Sequence, residues 1–145
     1  MPRTPKSRPL ILLFDSNILL DVILDREPWA IDAVRALDAA GSGKVRGYVA
    51  SHAITTLHYV VAKASSRIVA STAVGDLLQA LQVATVGAPE FQRALAMGLS
   101  DFEDGVQAAA CLSIGGDFMV TRNGRDYKNA PVLTRTPGEV MALIS

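Results

Sequence analysis

The first feature of the chain is a continuous apolar run, PLILLF at residues 9–14. Its length suits a β-strand covered on both faces. In DSNILLDVIL, which follows, Leu19, Leu20, Ile23 and Leu24 recur at helical spacing, so the pattern predicts a helix. DREP interrupts it, and Pro28 opens a second helix over Trp29 to Ala40, with Ile31, Val34 and Leu37 on one face. GSGK is a turn, and VRGYVAS alternates as a second strand. Helices are predicted at 52–64 and 68–80, and a third strand at VATV, 83–86. Pro89 starts a helix through FQRALAMGL, and another helix spans 102–114 and stops at Gly115-Gly116. DFMVT is a fourth strand, NGRDYKNA a loop, PVLT a fifth strand, and Pro137 opens the last helix, GEVMALI. Strands separated by helices predict an α/β fold with a central parallel sheet, a three-layer α/β/α sandwich. No repeat, low-complexity segment or interdomain linker breaks the pattern. One domain is expected over 9–145, preceded by a flexible basic leader at 1–8.

Composition narrows the function. A chain of 145 residues, half of them hydrophobic, can bury a core and is not a disordered tail. Lys plus Arg equals Asp plus Glu, 14 each, so any attraction to nucleic acid has to come from local clustering. The single Cys111 forms no internal disulfide, which suits a reducing intracellular setting. The basic-then-apolar start resembles a secretory signal only faintly: Asp15 breaks the apolar run and no small-residue cleavage pattern follows. The apolar runs fall far short of the roughly 20 residues of a membrane span. A soluble, cytoplasmic protein with no membrane contact is expected.

The chemistry gathers at strand ends. In open α/β sheets, sites form outside the carboxyl ends of the strands. Asp15 follows the first strand, Ser51 the second, and Arg122 and Asn123 the fourth. The stretch SDFEDGVQAAAC, residues 100–111, brings three carboxylates to the start of a helix. Ser100 and Glu103 have the S-x-x-E spacing of a capping box, and first-turn acids are favoured by the helix dipole. Capping accounts for Glu103 and serves for Asp101, but leaves Asp104 over. Asp101 and Asp104, three apart, share a helix face, and two like charges held together call for a cation. Carboxylate oxygens are the usual ligands of Mg²⁺ and Mn²⁺. Asp15 reads equally well as a helix N-cap or as a ligand. Asp25 reads as turn chemistry, and Asp21 leans towards structure. His52 and His58, six apart and off one helical face, make no zinc pair. Tyr59 and Trp29 read as packing residues and Cys111 as a small core residue. GSGK is too short for a phosphate-binding loop.

The pieces LLFDSNILLDVILDREP, SHAITTLHYVVAK and DFEDGVQAAACLSIGGDFMVTRN, with GRDY just after, resemble in order and spacing the PIN domains. The resemblance is to the VapC-type toxin ribonucleases of bacterial toxin–antitoxin pairs in particular. It implies an α/β/α sandwich, an acidic pocket holding one or two Mg²⁺ or Mn²⁺ ions, and metal-dependent endonuclease action on RNA. It matches Asp15 to the first acid, Asp104 to the acid opening the late helix, and Asp101 to an extra acid of the D-F-E-D version. Ser16 and Asn17 match a polar pair that supports the site, and Thr121 and Asn123 the segment supplying the fourth polar position. Asp15 and Asp104 are thereby the expected metal ligands. Two positions depart from the pattern: Thr56, with Thr55 beside it, stands where a Glu is usual, and Asn123 where an Asp is frequent. Asp126 either substitutes for the latter or caps its loop. Arg122, Arg125 and Lys128 are candidate contacts for RNA phosphates, or belong to a solvated loop. The resemblance also implies a homodimer and a small antitoxin partner. Two rivals remain: a non-catalytic PIN-like module that binds RNA or protein through a degenerate site, and a nuclease of RNA processing.

Overall fold

The computed structural model describes residues 8–144. The first apolar run becomes the middle of the sheet. In β1 (Ile11–Phe14), Leu12, Leu13 and Phe14 are fully buried, as befits a strand with parallel neighbours and helices over both faces. β1 pairs in parallel with β2 (Arg46–Ala50), Leu12 opposite Gly47, and with β4 (Phe118–Val120), Leu13 opposite Met119. β3 (Gln82–Ala84) lies outside β2 and β5 (Thr134–Arg135) outside β4, so the order is β3-β2-β1-β4-β5, parallel throughout. The chain runs outward from β1 through β2 to β3, then returns across β1 to β4 and β5. The reversal falls between β1 and β4.

The helices are α1 (Ser16–Ile23), α2 (Ala30–Gly41), α3 (Ser51–Ala64), α4 (Arg67–Ala80), α5 (Ala88–Met97), α6 (Phe102–Ser113) and α7 (Pro137–Ile144). α5 packs on α6. α7 packs on α2, α2 on α1 and α4, and α3 on α1 and α4. These two sets flank the sheet in the predicted three-layer α/β/α sandwich. Small residues set the close approach: Ala33, Ala36, Ala39 and Ala40 of α2 and Ala108, Ala109, Ala110 and Cys111 of α6 are buried. A Cβ at Gly47 would come within 2.8 Å of the Ala40 Cβ and 2.6 Å of Leu81 Cδ2, so only glycine lets α2 and the α4–β3 junction close over β2.

Element boundaries differ from the predicted ones where local hydrogen bonding decides. The fifth strand, predicted at 131–134, is confined to Thr134–Arg135. Pro131 has no N–H to give a ladder, and pairing starts where Met119 N donates to Leu133 O (2.8 Å) and Thr121 N to Arg135 O (3.0 Å). The third strand ends at Ala84 rather than Val86, because Val86 N leaves the ladder for Ser51 Oγ (2.9 Å). α5 stops at Met97, where Gly98 takes φ +66°. α6 ends as predicted at the glycine pair: Gly115 has φ +65° and Gly116 N donates to Cys111 O (2.8 Å), a left-handed helix stop. The loop 123–130 contains a short 3-10 turn, Gly124–Tyr127. Of the leader predicted at 1–8, residues 1–7 lie outside the described residues. Arg8 is not merely solvated: its guanidinium makes a two-pronged pair with Asp117 (2.8 and 2.9 Å). Among the described residues no helix is long and apolar enough to cross a membrane.

Candidate active site

The reversal point between β1 and β4 is where an open α/β sheet leaves a crevice at its carboxyl edge. Asp15 and Thr121 are the first residues beyond these two strands. Asp15 is only 8 % exposed. Its backbone N donates to Val120 O (2.9 Å) and its Oδ2 accepts from the Thr121 hydroxyl (2.9 Å). Oδ1 accepts from Asn17 N (3.4 Å), so Asp15 also caps α1. The N-cap reading of Asp15 is therefore realised, while its other oxygen is held by Thr121. Burial pushes its carboxyl above the usual range, the charge of Glu103 adds to this, and the Thr121 hydrogen bond opposes it.

Asp104 comes to the same place from the first turn of α6. Its pKa is raised to about 6, first by burial and then by the charges of Asp101, Asp126 and Asp15. Asp104 thus feels three other acids, and the four come from three separate segments of the chain. The Tyr127 hydroxyl donates to Asp104 Oδ1 (3.3 Å). Tyr127 is buried, and its phenol is held well above its ordinary pKa by burial and by the charges of Asp15 and Asp104. The hydroxyl therefore stays protonated as a donor.

The acidic stretch does not cap as its spacing predicted. Asp101, not Ser100, is the N-cap of α6, accepting from Glu103 N (2.8 Å). Glu103 forms no capping box. Its Oε2 lies 2.8 Å from His52 Nε2 on α3, and its Oε1 accepts from Gln107 Nε2 (3.2 Å). Gln107, fully buried, also donates to Ser16 Oγ (3.0 Å). Glu103 is thus turned across to α3, beside the residue that follows Asp15. Shorter Asp101 reaches its own turn, which leaves Glu103 free to bridge outward.

The remaining predicted residues divide. Thr121 is buried and also accepts from Asn123 N (3.1 Å). Asn17 is exposed, and Thr55 and Thr56 are exposed on α3. Asp126 is exposed on the 3-10 turn but within electrostatic reach of Asp104. Arg125 and Lys128 are exposed on or next to the same turn. Arg122 is not a free loop cation. Its Nε and a terminal nitrogen bond the two carboxylate oxygens of Asp21 (2.9 and 3.2 Å), and its guanidinium carbon lies 3.9 Å from the Trp29 ring centre. Asp21 is fully buried and structural, as its position leaned.

Several expectations about single residues fail. Trp29 is 44 % exposed and Tyr59 is exposed under Lys63, so neither packs in the core. The sequence offers no partner for either histidine, yet His52 Nε2 lies 2.8 Å from Glu103 Oε2 and His58 Nε2 lies 3.0 Å from Ser71 Oγ. Cys111 is buried as expected, its thiol pushed up to about 12 by burial. The sequence reading missed Tyr127, Gln107 and the His52–Glu103 pair. No sequence signal singled out Tyr127, which sits among polar residues in NGRDYKNA.

Among the described residues no three His, Cys, Asp or Glu side chains sit closely enough to cage a metal ion. The donor chemistry still fits a hydrated divalent cation. The groups are hard carboxylate oxygens, two of them with raised proton affinity, and Mg²⁺ commonly takes one or two carboxylates and keeps its waters.

Comparison with known proteins agrees with this fold. The PIN domain family model matches residues 11–125. No curated protein matches the chain. Three solved structures share the fold. VapBC from Salmonella typhimurium, bound to DNA, aligns with a TM-score of 0.69 at 16 % identity, covering 88 % of this chain and 98 % of that one. VapBC2 from Rickettsia felis, bound to a promoter DNA fragment, aligns at 0.67 and 17 %, covering 88 % and 98 %. VapC20 from Mycobacterium tuberculosis, a toxin that cleaves the sarcin–ricin loop, aligns at 0.67 and 15 %, covering 84 % and 96 %. The match over 11–125 runs from β1 into the start of the 3-10 turn and takes in Asp15, Asp101 and Asp104: the chain belongs to the PIN domain family.

Proposed function

We propose that the protein is a divalent-metal-dependent endoribonuclease, the toxin of a cytoplasmic toxin–antitoxin pair. One observation carries this reading. Asp15, just past β1, and Asp104, in the first turn of α6, lie at the carboxyl edge where β1 and β4 diverge, near enough for the charge of Asp15 to add to the raised proton affinity of Asp104. A bound cation would relieve that repulsion. Asp15 and Asp104 are the residues that would hold Mg²⁺ or Mn²⁺, with Asp101 and Asp126 at the rim. Such an ion, when bound, polarises a phosphate oxygen and lowers the pKa of a water. The chain's own groups prepare the site. Thr121 fixes one oxygen of Asp15, Tyr127 fixes one oxygen of Asp104, and Gln107 ties Ser16 to Glu103. Arg125 and Lys128 supply charge for the RNA backbone on the turn that carries Asp126.

Two of the similar structures are VapBC complexes, which supports a small antitoxin as partner. An apolar recess of about 400 Å³ between α1, α2 and α4, edged by the 80 % exposed Ile68, offers such a partner a surface. The rival, a non-catalytic binding module, draws support from exposed Thr56, from Asn123 in place of an acid, and from the lack of a three-ligand cage among the described residues. An RNA cleavage assay separates the two. Wild-type protein is expected to cut RNA with Mn²⁺ or Mg²⁺ and to stop when EDTA is added. Asp104→Asn is expected to lose at least about a hundredfold, since groups that merely orient metal ligands are worth ten- to a hundredfold. RNA that is bound but stays intact with either ion would leave the binding module.

A further inference from the structure

One recess at the same edge of the sheet plays no part in the chemistry above. It measures about 260 Å³ and is lined by Ile18, Trp29, Asp32, Arg122 and the Thr136–Gly138 segment that leads from β5 into α7. It lies close to the acids. Arg122 follows Thr121, whose hydroxyl holds Asp15, and the charge of Asp15 reaches Arg122. The wall is rigid. Fully buried Asp21 grips the Arg122 guanidinium through two hydrogen bonds and so sets its plane against the Trp29 ring. Arg26 also pairs with Asp21 (3.6 Å). Two guanidiniums thus share one carboxylate, and the cluster carries one surplus positive charge. Trp29 nonetheless remains 44 % exposed. Asp32 stands at the opposite wall, where a Cβ at Gly138 would come within 3.1 Å of its Oδ2. Among the described residues Asp32 makes no side-chain hydrogen bond or ion pair.

We propose that this recess binds a single nucleobase of the RNA strand, next to the scissile phosphate. The base stacks on Trp29, its phosphate faces the surplus charge of Arg26 and Arg122, and Asp32 accepts from a donor on the base edge. The proposal rests on the ribonuclease reading for its strand. An aromatic face beside a fixed guanidinium is how single-stranded nucleic acid is held without a duplex. The recess is below the usual size of a drug-sized ligand site, which suits one base. A carboxylate rim repels a bare phosphate but accepts from donors on a base edge, so Asp32 favours guanine, whose adjacent N1–H and N2–H groups match its two oxygens, over uracil with its single N3–H.

Trp29 is the sole tryptophan of the chain, so its fluorescence reports the recess directly. The experiment titrates full-length protein in EDTA with guanosine, cytidine and uridine 5′-monophosphates, and with ribose 5-phosphate as the baseless control. Saturable quenching by GMP, stronger than by UMP and absent with ribose 5-phosphate, is expected. Asp32→Asn should narrow the difference between GMP and UMP. In a binding assay with a short RNA, Trp29→Leu should weaken affinity on the order of tenfold while Trp29→Phe keeps most of it. Equal quenching by ribose 5-phosphate would reduce the recess to a phosphate site and overturn the proposal. So would no quenching by any nucleotide, or quenching only by an aromatic or proline-rich peptide. The titration contains no metal and reads no cleavage. Cleavage by wild type without quenching therefore removes this inference alone, and quenching without Mn²⁺-dependent cleavage removes the nuclease reading alone.

Discussion

Asp104 is the residue whose charge is most directly testable through pH. Its folded pKa of about 6 stands above the roughly 3.9 of an unperturbed Asp. Between these values the folded chain holds a proton that the unfolded chain has lost, so stability falls as pH rises from about 4 to about 6 and stays lowered above. Asp104→Asn removes that penalty. Without metal the variant is expected to match wild type near pH 4 and to melt higher than wild type from about pH 6 upward; a constant offset across this range in urea or thermal melts would refute the cause assigned. The two central acids were legible in the sequence for physical reasons. Asp15 ends an apolar strand, and Asp104 is the acid that capping leaves over. Glu103 was misread because S-x-x-E spacing cannot tell which residue caps. The choice fell to Asp101, and a long-range partner, His52, took the glutamate.

At the scale of elements, α6 offers a clean test of that correction. Asp101 accepts from Glu103 N, while Ser100 has no part in the cap. Asp101→Ala is expected to cost about 1 kcal/mol, and Ser100→Ala no more than about 0.5 kcal/mol, as at a neutral surface position. Chemical denaturation of the two variants in the absence of metal reads both, and the reverse order would restore the capping box at Ser100. A box of that kind does exist elsewhere: Thr136 N donates to Glu139 Oε1 (2.8 Å) and Glu139 N to Thr136 Oγ1 (3.1 Å) at the start of α7. Each helix and strand was legible from periodicity and from Pro and Gly punctuation. The limits of the edge strands were not, because β3 and β5 are only three and two residues long. Their limits depend on single hydrogen bonds such as Val86 N to Ser51 Oγ.

For the molecule as a whole, alternating strands and helices led directly to the three-layer fold, but strand order was not predicted. The order is decisive, because the reversal between β1 and β4 is what brings residue 15 to residues 104 and 121. Tyr127 and the Trp29 recess were illegible for the same reason, since both exist only once distant segments close together. Large apolar side chains remain outside the core, with Tyr59, Ile68 and Leu95 all exposed. A homodimer is expected, and light scattering at micromolar concentration should give about twice the 15.4 kDa of the chain; a monomer mass would refute it. The central claim is that Asp15 and Asp104 together form a site for a divalent cation. The most direct measurement is the thermal melt of wild type and of Asp104→Asn at pH 7.5 over a series of Mn²⁺ concentrations. The account predicts a saturable rise in Tm for wild type and none for the variant. No rise for wild type, or the same rise in both, would contradict it.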